Sequence, residues 1–99
     1  MDKAIKEKWV KALRSGRYKQ AKECLYNGEG YCCLGVLARV QGAKTDELGM
    51  DDYLIDDLKK YTAGLRIDSQ KVLSRMNDGQ YHQDSKTFKE IADYIEKRY

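Results

Sequence analysis

Not one proline interrupts the 99 residues, so other residues must make every break in the chain. Eight glycines are the available punctuation, because glycine reaches left-handed backbone angles without steric cost. Helices should therefore stop at Gly16, Gly42 and Gly64, where that conformation closes the last turn. Between these stops apolar residues are scarce: nine Leu, five Ile, four Val and one Phe, or 19 of 99. That share sits just under the ~20% associated with disorder, a state that also needs high net charge. This chain carries only +3, and eight Tyr, one Trp, three Met and three Cys add bulk. A single domain over residues 1–99 with a thin core follows.

Periodicity says where that core lies. Ile5, Trp9, Ala12 and Leu13 form one stripe of a helix over 3–15, with Lys3, Lys6, Lys8, Lys11 and Arg14 on its other side. Glu23–Tyr26 and Tyr31–Cys33 flank Asn27-Gly28-Glu29-Gly30, a hairpin signal near 23–33. Simple register sets Tyr26 opposite Tyr31 and Cys24 opposite Cys33. A helix over 33–41 turns Cys33, Val36, Leu37 and Val40 inward, with Gly35 allowing another backbone to approach. Residues 43–53 are polar and suit a loop or one frayed turn. Short helices follow at 55–61, with Leu54, Leu58 and Tyr61 on one side, and at 70–76, burying Val72, Leu73 and Met76. Asn77-Asp78-Gly79 reads as a turn. Thr87-Phe88-Lys89-Glu90 fits a capping box, which opens a last helix with Ile91, Tyr94 and Ile95 on its stripe. The expected class is mainly α (α+β with one small hairpin). It is a compact four-helix domain with terminal helices at 3–15 and 88–98, a hairpin near 23–33 and a helix at 33–41.

Several functional classes lose ground at once. No apolar run approaches the ~18 residues of a membrane span, and Met1-Asp2-Lys3 opens no secretory segment. An odd set of cysteines, Cys24, Cys32 and Cys33, suits reduced thiols in a cytosol. Zinc prefers Cys pairs two to four residues apart, whereas Cys32 and Cys33 are adjacent and His82 is remote. No metal or cofactor is expected, and small buried thiols are the simpler reading. A nucleophilic set of Cys32, His82 and Asp84 exists only on paper. Asp51-Asp52 and Asp56-Asp57 lack the order of a calcium loop, so a solvated acidic face is preferred. No catalytic set is assigned.

Charge is unevenly placed. Residues 1–22 carry eight cations against Asp2 and Glu7, a net +6, while residues 44–60 carry six carboxylates against three lysines, a net −3. Arg14, Arg17, Tyr18 and Lys19 combine cations with an aromatic ring around a glycine, and Tyr26 and Tyr31 extend that face. Such a set suits an anionic ligand, with Arg gripping phosphate and Tyr stacking on a base. The competing reading packs Tyr18 on Trp9 or the hairpin while the cations stay solvated. Nucleic acid is the other obvious partner of a basic segment. Residues 88–95 look like the first helix of a helix-turn-helix, but no recognition helix follows.

Three stretches resemble a family of small proteins from tailed phages and prophages. They are Trp9 to Gln20 (WVKALRSGRYKQ), Gly30 to Leu37 (GYCCLGVL), and Met76-Asn77-Asp78-Gly79 with Thr87 to Glu96 (TFKEIADYIE). Tyr81-His82-Gln83-Asp84 adds length to the family pattern, and residues 43–68 match it loosely. The resemblance implies no catalytic role. It implies an accessory phage product in the bacterial cytoplasm that binds and inhibits a host defence protein or sequesters a nucleotide-like ligand. A nucleic-acid-binding role for the basic N-terminal segment is the alternative. A homo-oligomer is a further expectation, since a thin core gains stability by burying surface between copies.

Overall fold

The computed structural model describes residues 1–79 and 84–99. Helix α1 runs Lys3–Ser15, capped by the Asp2 carboxylate accepting from the Ile5 N–H at 2.9 Å. It stops at Gly16, whose φ of 76° is the left-handed angle anticipated from sequence. Trp9, Val10 and Leu13 are buried, with Ile5 and Ala12 packed at the edge of the core. The Trp9 indole N–H donates to the Cys33 carbonyl at 2.8 Å, tying this helix to the next.

Helix α2, Cys33–Val40, is more deeply placed than its pattern suggested. Six of its eight residues, Cys33 through Ala38, are buried, so it is apolar all round rather than on one face. A helix of that kind belongs in the centre of a fold. Here α1 and the later helix α4 (Ile67–Asp78) pack against it, and α5 (Phe88–Arg98) packs in turn against α1 and α4. Gly35 earns its place: a Cβ there would lie 2.1 Å from the Leu25 carbonyl oxygen.

The hairpin is reduced to a turn. Tyr26 and Tyr31 form a single antiparallel bridge, and Tyr31 also bridges Gln20 in parallel. The Asn27 carboxamide oxygen accepts from the N–H groups of Glu29 and Gly30, both at 2.9 Å. Cys24 does not face Cys33. The Leu25 N–H is taken by the Asp51 carbonyl at 2.7 Å, and the Cys33 N–H by the Asn77 side chain at 3.2 Å. Side-chain and loop partners thus replace the second ladder step.

The polar stretch after Gly42 holds one helical turn, α3 (Thr45–Leu48), and the next segment is a 3-10 helix, Asp56–Tyr61, that buries Leu58. Helix α4 is longer than expected, Ile67–Asp78. Its buried positions are Gln70, Leu73 and Asn77, spaced i, i+3, i+7. Val72 lies off that stripe and is exposed, and Met76 is half-buried, which corrects the expected core face. Asn77 and Asp78 are the last helical residues rather than a turn; only Gly79 breaks the chain. Two amides hold core positions because both are satisfied. Gln70 donates to and accepts from the Leu54 backbone like a paired strand residue.

Helix α5, Phe88–Arg98, begins with the capping box read from sequence. The Glu90 N–H donates to Thr87 Oγ1 at 3.2 Å, and the Thr87 N–H to Glu90 Oε1 at 3.0 Å. The Thr87 N–H, and then the Thr87 hydroxyl at 3.2 Å, donate to the Glu90 carboxylate and hold it below its usual range. Phe88, Ile91, Ala92 and Ile95 complete one hydrophobic core. The fold is mainly helical, and among the described residues no helix is long and apolar enough to cross a membrane.

Candidate functional site

The last turn of α1 shapes a basic cleft. Ser15 Oγ donates to the Ala12 carbonyl at 2.7 Å and accepts from the Arg17 N–H at 3.1 Å, folding the chain back after Gly16. Arg17 and Tyr18 are thereby set against α1. Together with Lys8, Lys11, Ala12, Ser15 and Val40 they line a cleft of about 570 Å³ beside α2. Its lining holds three cations and no carboxylate. Among the described residues none of these cations has an ion-pair partner.

Tyr18 joins a chain of aromatic rings. Its ring meets Tyr31 edge-on at 5.4 Å, and Tyr26 lies over Tyr31 at 4.7 Å with the planes inclined by 31°. Both arrangements are favourable for rings with negative faces and positive edges. The three tyrosines anticipated from sequence are therefore together, but they also pack on one another, as the competing reading required. Tyr26 further donates to the Gly28 carbonyl at 3.1 Å.

The basic residues divide. Arg17 belongs to the cleft, while Lys19 approaches Glu29 at 3.9 Å with both side chains well exposed, a pairing of little energetic weight. Arg14 is engaged elsewhere: its guanidinium contacts Asp93 at 2.7 Å and Glu96 at 2.9 Å on α5. The fork holds the Glu96 carboxyl below its ordinary value. Arg14 faces a second groove of about 580 Å³, where Glu7 and Glu96 dilute the lysines. The cleft residues Lys8 and Lys11 were not assigned to a site by sequence reasoning. With Ser15 they fall at i, i+3 and i+7, a shared helix face that could have flagged them.

The cysteines and the acidic residues take other roles. Cys24, Cys32 and Cys33 are all buried and unpaired. Burial pushes the Cys32 thiol up to about 12 and raises Cys33 well above the usual range. Burial also raises Cys24, with help from the Asp52, Asp78 and Glu23 charges. A nucleophile needs the opposite shift. His82 lies outside the described residues, and Asp84 is exposed. Among the described residues no group of three or more His, Cys, Asp or Glu could hold a metal ion. Asp51, Asp56 and Asp57 line an acidic cleft with Glu47, whose carboxyl the Tyr61 hydroxyl lowers by donating at 2.7 Å.

Gln20, Cys33, Asn77 and Phe88, from three separate stretches of the chain, also meet in a polar knot. Asn77 accepts from Gln20 Nε2 at 3.0 Å and from the Cys33 N–H, and it donates to the Ala21 carbonyl at 2.7 Å. Gln20 in turn donates to the Lys86 carbonyl at 2.8 Å and accepts from the Phe88 N–H at 3.1 Å. These bonds join α2, α4 and α5.

No curated protein and no solved structure matches the chain. A family match covers residues 1–63, which take in α1, α2, α3 and the 3-10 helix and contain every residue lining the basic cleft. The chain belongs to the family described as Domain of unknown function (DUF8296).

Proposed function

We propose that this is a non-enzymatic binding protein, a phage-type accessory product of the bacterial cytoplasm, that sequesters an anionic, nucleotide-like ligand in the α1–α2 cleft. The observation that carries the reading is the lining itself. Lys8, Lys11 and Arg17 line it together with the apolar Ala12 and Val40 and the Tyr18 ring, and no carboxylate joins them. Cations without internal partners answer phosphate charge. An aromatic ring and aliphatic side chains in the lining answer a base or other flat ring. The likeness to small phage proteins supports the setting, where occupying a signal or a host defence component is a common task.

Thermal shift and native mass spectrometry of the full chain test this against mono-, di- and triphosphate nucleosides, cyclic nucleotides and inorganic phosphate. At least one nucleotide should raise the melting temperature, since a ligand held only by the folded state stabilises it by mass action. Arg17→Ala should weaken that ligand roughly tenfold or more, as expected for a lost charge-assisted hydrogen bond. No shift with any of these compounds overturns the reading. Nucleic acid is the second reading, because Lys11 and Ser15 belong to both grooves flanking α1 and so make one basic band. Affinity for oligonucleotides that climbs with length and falls steeply with salt would favour it.

A further inference from the structure

We propose that the groove between the 3-10 helix and the start of α4 is where two copies of this chain pair about a two-fold axis. The inference stands apart from the ligand reading and uses none of the cleft residues.

The groove, about 510 Å³, has Leu54 and Leu65 in its lining, flanked by Ile55 and Ile67. Those two isoleucines are 46% and 41% exposed, and the groove is where two of the four exposed large apolar side chains among the described residues come together, Met50 and Val72 lying outside it. Exposed apolar side chains gathered at one place mark interaction surfaces. The charges in the same lining say what covers it. Asp56 and Asp68 carry negative charge, Lys59 and Arg66 positive. Among the described residues none of the four has an ion-pair partner within its own chain. In a two-fold contact, residue i meets j while j meets i. Equal numbers of both signs therefore let each copy's cations meet the other's carboxylates.

The other clefts fail this requirement. Lys8, Lys11 and Arg17 would repel their own copies, as would Glu47, Asp51, Asp56 and Asp57 with only Lys60 beside them. The α1–α5 groove is net positive, and its Arg14 and Glu96 are already paired to each other. An apolar centre with a neutral, self-complementary rim thus fits a second copy of this chain better than a strongly charged partner. A thin-cored domain also gains stability from such pairing.

Sedimentation velocity and native mass spectrometry on the full chain provide the test. At about 100 µM, where a micromolar dimer is nearly all assembled, the expected mass is twice the 11.5 kDa of one chain. Ile67→Asp and, separately, Ile55→Asp should each raise the dissociation constant at least tenfold. Unchanged far-UV circular dichroism would show that the variants still fold. Reversing all four rim charges together should preserve pairing, whereas Asp56→Lys with Asp68→Lys should weaken it. A monomer at about 100 µM overturns the proposal and leaves the groove to another partner. So does a dimer that both isoleucine variants leave equally tight.

Discussion

Replacing Asn77 by alanine probes the joint on which the fold turns. The buried amide makes four hydrogen bonds: from Gln20 Nε2, from the Cys33 N–H, to the Ala21 carbonyl and to the Asp78 carboxylate. Gln20 keeps its bond to Lys86 in the variant, so its loss is partial. The Cys33 N–H begins a buried helix and keeps nothing, while the Ala21 carbonyl lies in a half-buried residue that water can reach. A stranded buried donor costs about 1–3 kcal/mol, and each lost bond about 1 more. The sum is roughly 3–5 kcal/mol, a large part of the 5–15 kcal/mol available to a typical domain. Urea unfolding followed through Trp9, the single tryptophan, measures it. With a slope near 2 kcal/mol/M, the midpoint should fall by about 2 M. Gln20→Ala and the double variant should reveal a coupling of about 1 kcal/mol, since the two amides share one network. Val72→Ala, on the exposed side of the same helix, should stay within about 0.5 kcal/mol. A loss under about 1 kcal/mol for Asn77→Ala, or strict additivity with Gln20→Ala, would refute the account.

Two further outcomes follow from packing and burial. Gly35→Ala should destabilise by about 1–3 kcal/mol or more, because its Cβ would strike a backbone carbonyl at 2.1 Å rather than a movable side chain; an unchanged urea midpoint would show that α2 can shift. Stability should also decline in alkali: the Cys32 thiol rises from 9.0 to about 12 on folding, so its contribution is complete below pH 9 and lost as pH climbs towards 12. Stability flat across that range, or native-state alkylation as fast as in denaturant, would contradict the burial.

Local signals carried far into this fold, and their failures share a cause. The Gly16 end of α1 and the Thr87–Glu90 box of α5 were legible because capping is chemistry between neighbours in sequence, whereas the Asp2 cap of α1 emerged only in the structure. Gly35 was legible as a close approach, though not its partner Leu25. The Cys24–Cys33 register and the reach of α4 were not legible. The register is set by Asn77 and Asp51, which supply bonds to Cys33 and Leu25 across dozens of residues, and Asn77 also ties down the last turn of α4. Val72 was misplaced because apolar type outweighed phase, when Gln70 and Asn77 held the buried stripe instead. In the site, the aromatic trio was readable from composition and spacing. The removal of Arg14 was not, since Asp93 and Glu96 lie about 80 positions away.

The engagement of Arg14 by α5 divides the labour along α1. Docking α5 on α1 buries Ile91 and Ile95 in the same core as Val10 and Leu13, and the Arg14 fork onto Asp93 and Glu96 fastens the rim of that contact. A guanidinium held by two carboxylates has little left for phosphate. Anion recognition is thereby displaced to the α2 side, where Lys8, Lys11 and Arg17 lack such partners. The apolar groove shares no residue with that cleft. Pairing through Ile55 and Ile67 would therefore leave both clefts of a dimer open, one per chain. Ligand titrations should then give one site per chain in the wild type and in Ile67→Asp alike. A stoichiometry of one ligand per two chains, lost in that variant, would mean that the cleft and the groove are parts of one site.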